Sequence, residues 1–457
     1  MKSTIQQSIL LLAGMLAISS CSQEETQDYP ESAQGRRIVF HTSLPGISTR
    51  AMEIAVDLGY FHVTAFNQSD STLVSGGIMS EYMDSVRIQK DETVNSYRSD
   101  LCTWPLPGHE SDILHFFAYY PQIPASASIS NRTALSDSLE IDYEFIDYGV
   151  APEIADQVDF VAAYASGSME KNLFSGIRLD FRHVLSRIEV KAWGANKSCD
   201  IEIAGVRIGG TGVKDSFIFQ PSDTVGLWTG KPTRGEVEYV YRQGDTIVTL
   251  DKGEESPASE ESAVSIMGNP LGDYDNCAML IPATYTGWKY ADDPRNEEKG
   301  MYLSVLLRVS DATSSGEGSQ IYPYSDATQG ANWSAIPTVW LTVDKETGKR
   351  VGTRLYRKDD AYFTDSDCTL PYSVADDEEV KAFGWAALPI SGEWEAGCIY
   401  TYTLDYTYGV GLHGPDTPGD DKPKAGDPII SDKVGVSVSV KEWRSGGPAS
   451  GVEVPGS

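Results

Sequence analysis

Several patterns are missing from this sequence. It has no CxxC pair, and its six cysteines lie far apart, which argues against a zinc site or a dithiol redox centre. It has no GxSxG elbow and no GxGxxG opening a helix, so two common frames for catalysis and cofactor binding are missing. No long segment has the 3.6-residue apolar period of an amphipathic helix. Beyond the first twenty residues no stretch approaches the about 18 apolar residues a membrane-spanning helix needs. Basic residues are scarce: 36 Lys+Arg stand against 66 Asp+Glu, a formal charge of -30. Such a field repels phosphate backbones and anionic headgroups, which excludes nucleic acid as an expected partner. Gly 42 and Pro 23 are ordinary counts for 457 residues, so neither collagen nor a low-complexity array fits.

Near-misses to chemical motifs fail on spacing. Gly226–Lys231 (GLWTGK) is one residue short of a phosphate loop, and Pro232 stands where Ser or Thr is needed. His109-Glu110 and His115 resemble a zinc-protease set, but the histidines are six apart rather than four and run into an apolar strand. Asp416, Asp420 and Asp421 lack EF-hand spacing and read as an exposed acidic loop. His183, within FRHVL, reads as a structural histidine. The expectation is no catalytic residue, no metal ligand, no cofactor and no enzymatic activity.

The amino terminus carries a clear signal. Lys2 is followed by the apolar run Ile9–Ile18 and then Ser19-Ser20-Cys21. Residues 1–20 read as a secretory signal peptide, and the small-small-Cys ending resembles a bacterial lipobox with Cys21 acylated. Acyl chains at about 0.8 kcal/mol per buried methylene would then anchor the protein. Ser22–Gly35 is polar and acidic and reads as a tether. Of the remaining cysteines, Cys102, Cys199, Cys277, Cys368 and Cys398, most read as buried small hydrophobes. A Cys368–Cys398 bridge is the one pairing considered.

The rest of the chain is strand after strand. Ile38–Leu44 places Ile38, Phe40, Thr42 and Leu44 on one face. Tyr60–Asn67, Ile113–Tyr120, Val158–Tyr164, Ile177–Trp193 and Asp200–Ile208 follow. Val237–Tyr241, Thr246–Leu250, Ala278–Pro282, Tyr302–Val309, Val339–Asp344, Ile399–Tyr406 and Val434–Trp443 complete the series. Gly, Pro, Asn and Asp fall between most runs, the signature of all-β sandwiches. A domain joint is expected near Gly194–Lys197, and Gly414–Pro428 reads as a solvated linker before the last strand. The expected layout is a lipidated tether and removable first strand over 21–50, an N-terminal sandwich over 51–194, and a C-terminal sandwich over 195–457. The last strand spans 434–443.

Several stretches together resemble the fimbrillin-family lipoproteins of Bacteroidetes. Ile38-Val39-Phe40 precedes Ser48-Thr49-Arg50-Ala51. Trp104-Pro105 precedes the aromatic run Phe116–Pro121, and Gln157–Phe160 follows. Leu179–Ile188 (LDFRHVLSRI) is the most specific piece. Leu280-Ile281-Pro282 and Trp394–Tyr400 match in the second half. Glu24 and Glu25, just after Cys21, resemble the family's surface-export signals.

The resemblance implies two transthyretin-like β-sandwich domains in tandem. It implies an outer-membrane lipoprotein at the cell surface that becomes a structural or adhesive pilus subunit, in stalk or tip. An Arg-specific protease would cut between Arg50 and Ala51 and release the strand bearing Ile38, Phe40 and Leu44. The opened groove would accept a strand from another pilus subunit. Val434, Val436, Val438 and Val440 alternate with small polar residues, as a donor strand would. Host or bacterial surface ligands are further partners the resemblance allows. The alternative is a surface glycan-binding lipoprotein, which would need Trp228, Trp333, Trp340 or Trp394 to form an exposed platform.

Overall fold

The computed structural model describes residues 35–43, 58–68, 80–91, 93, 96–121, 128–135, 139–219, 226–250, 259–268, 277–289, 300–312, 320–323, 336–417, 423–431 and 433–442. Nearly all ordered backbone there is strand. Helix among these residues is limited to the α turn Met169–Asn172 and the 3-10 turns Ile154–Asp156 and Glu260–Ser262. The expected all-β class is what the chain adopts.

The strands of the first half run in chain order as β1 (Phe40–Ser43), β2 (Tyr60–Gln68), β3 (Ser80–Asp91), β4 (Ser96–Arg98), β5 (Ile113–Tyr120) and β6 (Ser128–Leu135). β7 (Leu139–Gly149), β8 (Val161–Gly167), β9 (Ile177–Asp180), β10 (Arg182–His183), β11 (Ser186–Trp193) and β12 (Cys199–Phe219) follow. One 8-stranded sheet has the order β10-β8-β5-β2-β3-β4-β1-β9. Its two ends are consecutive pieces of one chain segment, separated by Phe181 alone. β9 pairs with β1 while β10 pairs with β8, so the sheet wraps around and closes. Ile38, Phe40, Phe61, Val63, Phe116, Leu179 and Phe181 fill the enclosed core.

The second core lies between two further sheets. β11 alternates buried and half-buried residues along its length and pairs in parallel with Cys398–Asp405, from Arg187↔Ile399 to Trp193↔Asp405. The opposing sheet is built on β12, Tyr302–Asp311, Glu378–Pro389 and Thr338–Asp344. Ile188, Val190, Ile203, Val206, Val305, Leu341, Phe383, Tyr402 and Leu404 meet between them.

The change of sheet falls between β10 and β11, at Val184-Leu185. The parallel ladder of β11 carries it into the second sandwich. The hairpin β6–β7 also leaves the first sheet and pairs with the far half of β12, from Lys214↔Gly149 to Phe219↔Tyr143.

Leu412 bridges Pro428, His413 N donates to Asp427 O at 2.9 Å, and Ile429 N donates to Gly411 O at 3.1 Å. The expected solvated linker 414–428 thus begins and ends in arms that hydrogen-bond to each other. Leu412–His413 further pairs with Ala386–Ala387. None of the five described cysteines is in a disulfide; Cys398 is buried and Cys368 partly exposed, so the Cys368–Cys398 bridge does not form.

Candidate functional site

The first strand is held more tightly than its length suggests. Its main chain is clamped on both sides. Ile38 N donates to Cys102 O at 3.0 Å and Trp104 N donates to Arg36 O at 2.7 Å. On the other side Ile177 N donates to Val39 O and Phe181 N to Ser43 O, both at 2.8 Å. β1 is antiparallel to β4 and parallel to β9, so it fills a slot between two strands. Its side chains alternate as the sequence predicts, with Ile38 and Phe40 both fully buried.

Phe40 is the centre of the slot. Its ring stands edge-on to Phe61 at 6.0 Å and to Phe116 at 5.5 Å. Edge-to-face pairs of this kind add to plain area burial. Polar groups close the ends. Arg36 is buried and donates from Nη1 to Pro105 O at 2.9 Å, and Arg37 pairs with Asp100 at 2.7 Å. The Ser43 hydroxyl donates to Asp180. Burial pushes the Asp180 carboxyl up, but hydrogen bonds from Ser43 and Arg178 outweigh it and hold the group below the usual carboxylate range. Burial pushes the neighbouring Cys102 thiol up to about 12, so it stays protonated as core. Gly176 has φ +71, and a Cβ there would stand 2.8 Å from Val39 O, so glycine is what lets the turn into β9 approach β1.

The terminal strand Gly435–Glu442 lies elsewhere, at the edge of the sheet containing β11, paired with Cys398–Asp405 from Cys398↔Glu442 to Asp405↔Gly435. Val434, Val438 and Val440 are half-buried against the second core, whereas Val436 is 40% exposed. The slot and this strand belong to different sheets and do not meet within one chain. Cys21, Leu44, Arg50 and Ala51 lie outside the described residues.

Phe61, Tyr97, Trp104, Phe116, Phe181 and Gly176 complete the slot. The sequence reading did not assign them to it. The run FFAYY was the available signal, since an apolar stretch without alternation marks a strand covered on both faces, as was the strict alternation of Ile177, Leu179 and Phe181.

Three of the four tryptophans of the glycan reading, Trp228, Trp340 and Trp394, are engaged in packing. Trp394 is buried and donates from Nε1 to the Tyr402 hydroxyl at 3.0 Å. Trp228 packs against Phe217 and donates from Nε1 to Val184 O at 2.7 Å. Arg357 covers the Trp340 ring at 4.9 Å, and Trp333 lies outside the described residues. The other near-motifs also have structural work. His183 Nδ1 lies 2.6 Å from Asp159 Oδ2 with both groups buried. Gly230 N donates to the Asp215 carboxylate at 3.1 Å, which closes the turn where a phosphate loop would need its amides free. Asp416 pairs with Arg207 at 2.7 Å.

These features define an all-β chain in which a short, deeply seated first strand fills a two-sided slot. No protein-family model matches the chain, and no curated protein matches it. Solved structures similar to it include a fimbrial protein from Bacteroides vulgatus ATCC 8482, at 11% identity and a TM-score of 0.47 over 89% of this chain and 99% of that one. They also include the tip fimbrial protein Mfa3 from Porphyromonas gingivalis, with C-terminal truncation, at 9% identity and a TM-score of 0.27 over 89% of this chain and 100% of that one. Likeness at this level assigns no function to the chain.

Proposed function

We propose that the chain is a subunit of a cell-surface pilus that assembles by strand exchange. It is exported as a lipoprotein through Cys21 to the outer membrane, with two transthyretin-like sandwiches behind a tether. An Arg-specific protease cuts between Arg50 and Ala51, and the released segment carries β1 away with Ile38, Phe40 and Leu44. The slot between β4 and β9 then takes a strand from a neighbouring subunit. The strand bearing Val434, Val436, Val438 and Val440 is this chain's own donor.

The observation that carries the reading is the seat of β1: an N-terminal strand clamped on both sides, with its inward side chains buried in the core. Burial of Ile38 and Phe40 contributes about 1.5–3 kcal/mol each. Loss of the strand would leave two unpaired edges and an apolar groove, which favours strand addition. The terminal strand, at a sheet edge with half-buried valines, has far less to lose on leaving.

The test is Arg50→Ala beside the unaltered protein, with N-terminal sequencing and sizing after Arg-specific proteolysis. The unaltered chain should yield a fragment beginning at Ala51 and then assemble with added partner pilus subunits, while Arg50→Ala stays monomeric beside them. Assembly of Arg50→Ala at the normal rate would overturn the reading. Cys21→Ala should separately abolish acylation and release the protein from membranes.

A further inference from the structure

The slot treats main chain and side chains differently. One of its edges is antiparallel to β1 and the other parallel. Reversing an incoming strand would exchange the two ladder types and leave both edges paired, so main-chain pairing accepts either direction. Selection then falls to the inward side chains. In this chain they are Arg36, Ile38 and Phe40, all buried, and the half-buried Thr42.

Phe40 sits in an aromatic cage whose walls brace one another. Besides Phe61 and Phe116 around its ring, Tyr97 and Phe181 each pack on Phe61 at 5.2 Å, and Trp104 packs on Phe116 at 6.1 Å. Walls held from behind do not collapse when the central ring is removed, so a smaller occupant leaves a cavity. On its valine face the chain's own terminal strand offers only smaller occupants, and Trp443 is out of phase with that face. Its apolar face reads Val434, Val436, Val438, Val440, with no aromatic between Val434 and Glu442. Its present seat makes no demand for bulk, since Val436 is partly in solvent there.

We infer that the slot is selective: it takes an apolar strand carrying an aromatic residue in the register of Phe40, with an aliphatic residue two positions before it. It discriminates against the all-valine strand of a second copy of this chain. The neighbour on this side is therefore a different chain, and acceptor and donor on one molecule are not matched to each other. The inference rests on the strand-exchange reading above.

The experiment uses the mature chain with Cys21→Ala and a specific protease site in place of residues 46–50, labelled at its N-terminus. The chain is folded and then cut, so that the labelled first strand stays in the slot. Three unlabelled peptides compete for the slot: 35–45, the same peptide with Phe40→Val, and 434–442. The first should displace the label. The Phe40→Val peptide should need about tenfold or more higher concentration, and 434–442 should do no better than it. Equal competition by either valine peptide overturns the selectivity and leaves strand exchange standing. Failure of the 35–45 peptide itself to displace the label takes down strand exchange, and this inference with it.

Discussion

At the scale of single residues, Phe40 holds the first strand on its core. Phe40→Ala removes a fully buried ring from braced walls and should cost about 3–5 kcal/mol, read as a lower urea midpoint of the uncut chain. The half-buried His115 and the buried His413 set a second expectation. His115 Nε2 donates to Gln68 Oε1 and its Nδ1 accepts the Tyr164 hydroxyl, both at 2.7 Å, so the neutral ring is satisfied. Burial lowers its pKa to about 4, and lowers that of His413 to about 4 against the opposing pull of Asp427. Above pH ~6.5 both folded and unfolded chains carry these rings neutral, and stability is complete. As pH falls below that value the unfolded chain takes up protons the folded chain refuses, so stability declines until about pH 4 and then levels off for these groups. The loss at pH 5 should be about 1–2 kcal/mol per histidine. The double variant His115→Gln, His413→Gln should flatten the urea midpoint across that window, whatever it does to the midpoint at pH 7. An unchanged slope would assign the acid sensitivity to other groups.

At the scale of elements, strands with a regular pattern were legible and those with a local break were not. Ile113–Tyr120 coincides with β5, and Ile38–Leu44 contains β1 with its buried face read correctly at Ile38 and Phe40. β3 escaped because a bulge interrupts its period. Ser85 sits at φ 47 between registers, so the buried Met83 and Ile88 fall out of step. Glu378–Pro389 escaped because it is rich in alanine and carries Gly384, which the Tyr322 ring requires: a Cβ there would stand 2.6 Å from that ring. Of the candidate site, the first strand was legible, whereas its cage was not, because Phe61, Tyr97, Phe116 and Phe181 come from four separated strands or turns. The terminal strand gives the test at this scale. Cys398 and Glu442 are cross-strand partners, a spacing compatible with a disulfide. Glu442→Cys should therefore lock the strand in place under oxidising conditions. Offered a cleaved partner subunit, the locked protein should fail to pass its strand on, and reductant should restore assembly. Equal assembly in both redox states would mean that this strand is not the donor.

At the scale of the whole molecule, β2 and β5 serve two cores at once. Phe61, Val63, Phe116 and Ala118 face the first core, while Phe66, Phe117 and Tyr119 face an aromatic layer shared with the second half. Across that layer Tyr119 meets Phe145 at 4.7 Å, and Phe219 lies 5.6 Å from Phe117 and 5.5 Å from Tyr143. The Thr64 hydroxyl, 2.8 Å from the Tyr143 hydroxyl, adds a buried polar tie. Junctions between domains of one chain are commonly smaller and more polar than this, and leave the domains free to move. Here the layer is buried and aromatic, so the two halves should unfold as one unit, with a calorimetric enthalpy equal to the van't Hoff enthalpy. Phe219 is the residue to remove, because its ring also touches Phe145 and Phe217 at 5.4 and 5.2 Å yet lies outside the first core. Phe219→Ala should cost about 3–5 kcal/mol of coupling and split the single thermal transition into two. A variant that still melts in one step would place the cooperativity in the continuous strands rather than in the aromatic layer. Two transitions in the unaltered protein would mean the layer does not couple the halves at all.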